Sequence, residues 1–524
     1  MTATAPLDRA PRARAAAPLA RSGRWARVLR LEIRRSTVLW AIPLLAALFF
    51  FDTFRTADGF APIWTVRSSV INTNMIEDFG PFAAGLAAWV GSREGRRRTG
   101  DLLTTTVRPA WVRHAAALGG TLFWLLLTFL LAVAALYVDT ARQATWGGPP
   151  MWPVVVGVVE VTTFAVIGFA AGALVPGRFT APLAAIATFL LAYVGFHAAL
   201  QVRPGTPTYA LLSPSTSVPL GDVGVFYHVA PDLAIAQVMF MGGICVALAG
   251  LLVLAPLFQV SYLRGFFSVA GRVSRWLCAA GVALLVAGVA AAATAFALTG
   301  TARLGVSGWD IPALHDAASD QPIPYTPDCA GTSFTVCLHP AFSPYLSSVA
   351  TALQPVAAEV AGLPGAAVRA EQVTGGYGSV SLQGLRLPGA SQVSDIAGTP
   401  PVYDFVSDNG LAPLWGTPAI AGGGFWQSGF QQEFLIAFAA NPASFSQTAA
   451  QQAVITALMV AVGSPAPQFG EDMTNGQPTA GATPAQIAAA AQRFESLSPA
   501  ARHAWLAANL PALRAGHITL AQLP

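Results

Sequence analysis

REGRRRTGDLLTTTVRPAWVRH, Arg93 to His114, holds six arginines and two acids. On both sides of it the chain is apolar for about 20 residues, the length a helix needs to cross a bilayer. A charged island between two such runs reads as a connection at a membrane surface, and the fold follows from that placement. The chain has 524 residues, 54% hydrophobic and only 10% charged, with a mean hydropathy of +0.55. A soluble globular protein carries about 25% charged residues. The composition therefore predicts a polytopic α-helical membrane protein.

All 29 basic residues are arginine. A Walker A loop, a protein kinase and a pyridoxal enzyme each need a lysine at a defined place. The chain by itself is therefore none of these. Its formal net charge of +4 is segregated along the sequence, and no nucleic-acid partner is read into it.

Residues 1–37 form a basic tail with nine arginines, Asp8 and Glu32. Its second half, Trp25 to Arg35, has the pattern of an amphipathic helix on a membrane surface. Residues 1–22 read equally as a solvated tail. Seven apolar segments follow, at about 38–54, 74–92, 115–138, 152–175, 181–200, 233–255 and 276–299. The first six make a domain over 38–255. A connection and a seventh span occupy 256–299.

Arginine placement predicts the orientation. With the N-terminus in the cytoplasm, the inner regions are the tail, 93–114, 176–180 and 259–275. They hold nine, six, one and three arginines, nineteen in all, against Arg55, Arg67, Arg142 and Arg203 in the outer loops. This orientation puts 300–524 outside. That part carries six arginines and thirteen acids. Strand-like pieces at 368–373, 378–387 and 402–406 and helix starts at Thr483-Pro484 and Ser498-Pro499 predict a mixed α/β domain. The apolar run 449–463 is short and opens on glutamines, so it reads as a buried helix of that domain. Cys329 and Cys337 lie in it, eight apart. Outside the membrane a disulfide is the default reading, with a metal site completed by His339 as the alternative.

Within the island, residues 93–104 can form a helix, loosened by Gly100, and Pro109 permits a turn before the third span. Glu94, then Gly100-Asp101-Leu102-Leu103, then Thr105-Thr106-Val107-Arg108 resembles the cytoplasmic loop of ABC type-two exporter permeases. Asp101 stands where that family usually has threonine, and Thr106 where it often has proline. The resemblance implies a six-span permease whose loop carries a coupling helix. It also implies a second permease subunit, as homo- or heterodimer, and two copies of a separate ATP-binding subunit. ATP and magnesium would lie on that partner, with no cofactor on this chain. Glu94, Arg96, Arg97, Arg98, Gly100, Asp101, Leu103, Thr106 and Arg108 would form the coupling surface. Arginine suits it, because its fork pairs with carboxylates in two bonds. The other reading of Arg96, Arg97 and Arg98 is orientation alone.

Glu160 lies about 12 Å along the fourth span at 1.5 Å per residue. An ionisable residue at that depth is a candidate for a substrate path, or it hydrogen-bonds a neighbouring helix while protonated. His197, near the outer end of the fifth span, is a second candidate, against a wetted interfacial histidine. The last 225 residues contain no H-E-x-x-H and no G-x-S-x-G motif, so no catalytic residue is assigned. A competing class remains, a membrane-anchored extracytoplasmic enzyme or sensor acting through 300–524. The expected location is a bacterial plasma membrane.

Overall fold

A computed structural model describes residues 18–59, 61–71, 76–97, 110–199, 206–213, 223–261, 275–305, 308–373, 392–394, 401–406, 425–440, 447–467 and 482–524. The architecture is a mostly helical bundle followed by a domain with a small sheet. Five helical stretches are long and apolar enough to cross a membrane: Trp25–Asp58, Trp111–Gln143, Trp152–Leu174, Asp232–Ala255 and Trp276–Thr299. Two shorter apolar helices, Phe79–Gly91 and Thr180–Gly195, correspond to the second and fifth expected segments. Large apolar side chains such as Leu183, Ile186, Val194, Val286 and Phe296 point outward from the bundle. A bilayer solvates such a surface and water does not.

The described residues begin with α1 (Pro18–Arg35), which ends on two arginines. Ser36 is extended, and its hydroxyl accepts the Val38 N–H to start a 3-10 turn. The helix α2 (Ile42–Leu48) continues into a π-helical stretch, Phe49–Phe54. After the short α3 (Trp64–Val70) come α4 (Ile76–Gly91) and α5 (Arg93–Arg96). The longest helix, α6 (Ala110–Gln143), starts inside the island, so Arg113 and His114 are helical. Then follow α7 (Trp152–Leu174), α8 (Thr180–Ala199), α9 (Asp232–Ser261) and α10 (Arg275–Thr299).

The bundle closes through small residues. A Cβ added at Gly168 would lie 1.9 Å from the Ala84 carbonyl oxygen, and one at Gly172 would lie 2.2 Å from that of Ala88. So α4 and α7 touch backbone to backbone along a small-xxx-small seam, which suits a bilayer because lipid gives helices no hydrophobic drive to associate. Gly243 and Gly250 of α9 meet Gly288 and Gly281 of α10 in the same way. On the other flank, Gly120 of α6 lets α1 approach, and the Trp124 indole N–H donates to the Ile33 carbonyl at 2.8 Å.

Beyond α10 the chain makes the hairpin β1 (Arg303–Gly305) and β2 (Gly308–Asp310). Five strands then form one sheet: β3 (Asp328–Ala330), β4 (Thr335–Leu338), β5 (Arg369–Val373), β6 (Gln392–Ser394) and β7 (Val402–Val406), ordered β3-β4-β5-β7-β6. The inner pairs β4–β5 and β5–β7 are parallel; the outer pairs are antiparallel. The helix α11 (Leu346–Val360) makes the crossover that a parallel pair requires. Strands expected at 368–373 and 402–406 are present, while 378–387 lies outside the described residues.

The helices α12 (Phe425–Ala439), α13 (Ala449–Ala461), α14 (Pro484–Glu495) and α15 (Pro499–Arg514) complete the domain. The 449–463 run is buried inside it, as α13. Its glutamines have partners there: Gln451 closes a capping box with Thr448 and donates to the Leu513 carbonyl at 2.8 Å. Arg502 donates twice to one oxygen of Glu359, at 3.1 and 2.8 Å, tying α15 to α11. The domain core also takes in Ile63, Val66, Val225 and Phe226 from the bundle side, and Thr145 donates to the Pro340 carbonyl. His339 is fully buried there, against Trp146, Phe226 and Tyr325.

Candidate functional site

The described part of the island is 93–97 and 110–114; Arg98, Gly100, Asp101, Leu103, Thr106 and Arg108 lie outside the described residues. Of the helix expected over 93–104, the described part is the single turn α5 (Arg93–Arg96), and 98–104 lies outside the described residues. Its charges are largely committed within the chain. Glu94 accepts from Arg113 Nε at 3.1 Å and Nη2 at 3.3 Å, a two-bond fork. Arg93 donates to both carboxylate oxygens of Glu32 on α1, at 3.3 and 3.2 Å. Arg96 donates to the Trp89 carbonyl at 2.8 Å and lies 3.4 Å over the Trp89 ring. Burial, then the charge of Arg97, lower the Arg96 guanidinium from its usual value. Arg97 is exposed.

These contacts make α5 a junction of several helices. It follows α4 directly, leans on α1 through Glu32 and on α6 through Arg113, and packs on the end of α7. A Cβ at Gly95 would meet the Pro176 ring at 2.3 Å. A pocket of about 220 Å³ opens beside it, with Glu32, Ser36, Trp89, Arg93 and Arg97 in its wall. The helix α5 thus adjoins α4 and α7, the two helices joined by the Gly168 and Gly172 seam. Arginine forks suit such a joint because they fix direction as well as distance.

Glu160 is on α7 and 1% exposed. One turn on, Thr163 faces α9, with its hydroxyl 3.1 Å from Cys245 Sγ and 3.2 Å from the Met241 carbonyl oxygen. His197 is exposed on α8, where its ring lies 4.0 Å from that of Tyr193. At the far end of the bundle from α5, a mainly apolar cavity of about 540 Å³ lies between helix ends and the following domain. Trp64, Trp146, Trp152, Val225, Leu233 and Ile323 line it. Glu160 and His197 are not among its described lining residues.

The same end holds a feature that the arginine tally does not convey. Arg67 is 2% exposed; it donates to Asp139 at 3.1 Å and to Gln143 at 3.0 Å. It is a buried strut between α3 and α6 and only nominally a loop charge. The signal for it in the sequence is thin, an arginine amid apolar residues 61–71. The G-x-x-x-G spacing of Gly168 and Gly172 is a plainer one, visible in GFAAG. Cys329 and Cys337 face each other across β3 and β4 and are joined by a disulfide. His339 turns its Nδ1 to the Ala341 N–H, 3.1 Å away, so it caps the following 3-10 turn.

No protein-family model, no curated protein and no solved structure is detectably similar to this chain.

Proposed function

We propose that this chain is the membrane subunit of an ATP-driven exporter. Two copies, or one copy and a sister permease, form the translocation unit, and two separate ATPase subunits dock on the arginine-rich end. The chain crosses a bacterial plasma membrane seven times, five long spans and two shorter apolar helices making the count. Its N-terminus is cytoplasmic and the domain after residue 300 lies outside. ATP and magnesium belong to the partner, and this chain contributes no cofactor or catalytic group.

The observation that carries the reading is the braced joint at Arg93–Arg97. Four helices meet there through the Glu94–Arg113 fork, the Arg93–Glu32 pair and the Gly95–Pro176 contact. A motor that closes on ATP delivers force to a small surface, and a joint that yielded would dissipate it. Rigid attachment to α4 and α7 passes the displacement along the Gly168 seam toward the cavity at the other end. That cavity, large and apolar, suits an amphipathic or hydrophobic substrate. ATP binding then shifts the population between inward- and outward-open bundles.

The test is purification of the full chain from its own membranes in mild detergent, beside a variant with Arg96, Arg97 and Arg98 changed to Ala. A P-loop ATPase that accompanies the intact chain and is lost from the folded variant is the expected result. Absence of any ATPase from both preparations overturns the reading and moves attention to the domain after residue 300.

A further inference from the structure

Where α9 begins, its first residue meets the segment that follows α10. Asp232 is fully buried, and its Oδ2 accepts the Ile311 N–H at 2.8 Å. The same oxygen lies 3.2 Å from His315 Nδ1. His315 Nε2 lies 3.1 Å from Asp320 Oδ2. Asp310, 4% exposed, places Oδ1 3.6 Å from His315 Nδ1, and neither of its carboxylate oxygens accepts a hydrogen bond. Gly305 leaves room for this carboxylate, since a Cβ there would lie 2.0 Å from Asp310 Oδ2. One ring nitrogen of His315 and one oxygen each of Asp310 and Asp320 lie within 4.8 Å of one another.

We propose that Asp310, His315 and Asp320 bind a divalent transition-metal cation, Zn2+ by ligand type, with Asp232 orienting the imidazole from behind.

The geometry has a specific logic. With Nδ1–H donated to Asp232, His315 Nε2 is left as an electron pair facing a carboxylate oxygen. A proton on Nε2 or a metal cation between the two groups relieves their repulsion at 3.1 Å, but the proton serves Asp320 alone. One imidazole hydrogen already committed to Asp232 cannot also serve the buried Asp310. A divalent ion answers both needs. A carboxylate behind a ligating imidazole is the usual second layer of a histidine–metal site. Asp232 is itself well placed, because the first turn of α9 favours a negative charge. One imidazole with two carboxylates suits Zn2+, whereas Ca2+ and Mg2+ take oxygen ligands. The ion would pin the start of α9 to the hairpin β1–β2 that follows α10. This inference does not depend on the transport reading.

The experiment is calorimetric titration of the full, tag-free chain in detergent, stripped with EDTA and given Zn2+ or Ca2+ at pH 7.5. We expect one Zn2+ per chain at micromolar affinity or tighter and no comparable uptake of Ca2+. Asp310→Asn with His315→Gln removes that binding, and Asp232→Asn weakens it about 10- to 100-fold, as loss of such an orienting partner does. Asp320→Asn, at a half-buried position, keeps the test valid should the double variant fail to fold; it too must weaken uptake. X-ray absorption of the Zn2+-loaded wild type must show one imidazole among oxygen donors. No Zn2+ uptake by the wild type, uptake undiminished in the folded variants, a thiolate shell, or Ca2+ binding without Zn2+ each overturns the proposal.

Discussion

Arg113, in the first turn of α6, holds Glu94 in a two-bond fork at 3.1 and 3.3 Å and so ties the two ends of the arginine-rich island together. The side chains keep 22% and 29% of their exposure, so the pair contributes little to stability, about 1 kcal/mol or less. Its consequence is geometric. Glu94→Arg is expected to leave the unfolding midpoint nearly unchanged while weakening capture of the ATPase. The exchange Glu94→Arg with Arg113→Glu is expected to restore capture. Co-purification of the three proteins checks this, and no rescue by the exchange would show that the fork does not position the island.

The seam between α4 and α7 has no room for a side chain at Gly168. Overpacking of this kind costs about 1–3 kcal/mol. Gly168→Val is expected to lower the thermal midpoint in detergent and Gly172→Val to do the same. Gly242→Ala, with nothing within 4 Å of the added Cβ, is the control and is expected to be close to neutral.

Arg67 is a buried cation whose partners come from another helix. Removing one member of a buried pair leaves the other uncompensated, at about 3–5 kcal/mol. Arg67→Met is expected to destabilise at the lower end of that range, because Asp139 is partly exposed at 25%. Adding Asp139→Asn recovers part of the loss. Denaturant unfolding of the single and double variants measures the coupling.

Burial lowers the His339 imidazole from its usual 6.5 to about 4. The folded state therefore resists protonation and the unfolded state does not. Stability is full above pH 6.5. It falls as the pH drops from 6.5 toward 4, because there the unfolded state takes up the proton first. The loss is at most about 3 kcal/mol, at 1.36 kcal/mol per unit. His339→Asn is expected to flatten that part of the stability–pH curve, read from the unfolding midpoint between pH 7 and 4.

The Cys329–Cys337 disulfide closes a short loop at the edge of the sheet. Constraining so short a loop is worth about 2–3 kcal/mol. Intact mass before and after reduction is expected to differ by two hydrogens. Cys329→Ser with Cys337→Ser is expected to lower the midpoint of the domain without altering the bundle.

Much of this was legible in order along the chain. The long apolar runs need only composition and length, so the helices at 111–143, 152–174, 232–255 and 276–299, each long and apolar enough to cross a membrane, are readable. The starts of α14 and α15 were too, because Thr483-Pro484 and Ser498-Pro499 cap a helix with groups two or three residues away. The strands at 369–373 and 402–406 announced themselves by residue type. The 449–461 helix is legible as part of the domain, since it is too short to span a bilayer and opens on two glutamines. In each case the decisive interaction is local, or is with the solvent.

What needed the fold is whatever depends on which surface meets which. The Gly168-x3-Gly172 spacing is visible, yet nothing in it names Ala84 and Ala88 as the partners. Arg67 counts as a loop charge until Asp139, 72 residues on, is found beside it. Asp232 and His315 are 83 residues apart, with the whole α9–α10 hairpin between them. That hairpin runs out and back, so its two ends meet at one level, and the sequence has no period that records the return. Local chemistry therefore determined the elements and their membrane character, while long-range packing alone decided which charges share a site. The physical reason is that hydrophobicity and capping act through solvent and near neighbours, whereas ion pairs and metal ligands act through contacts that exist only once distant segments have closed.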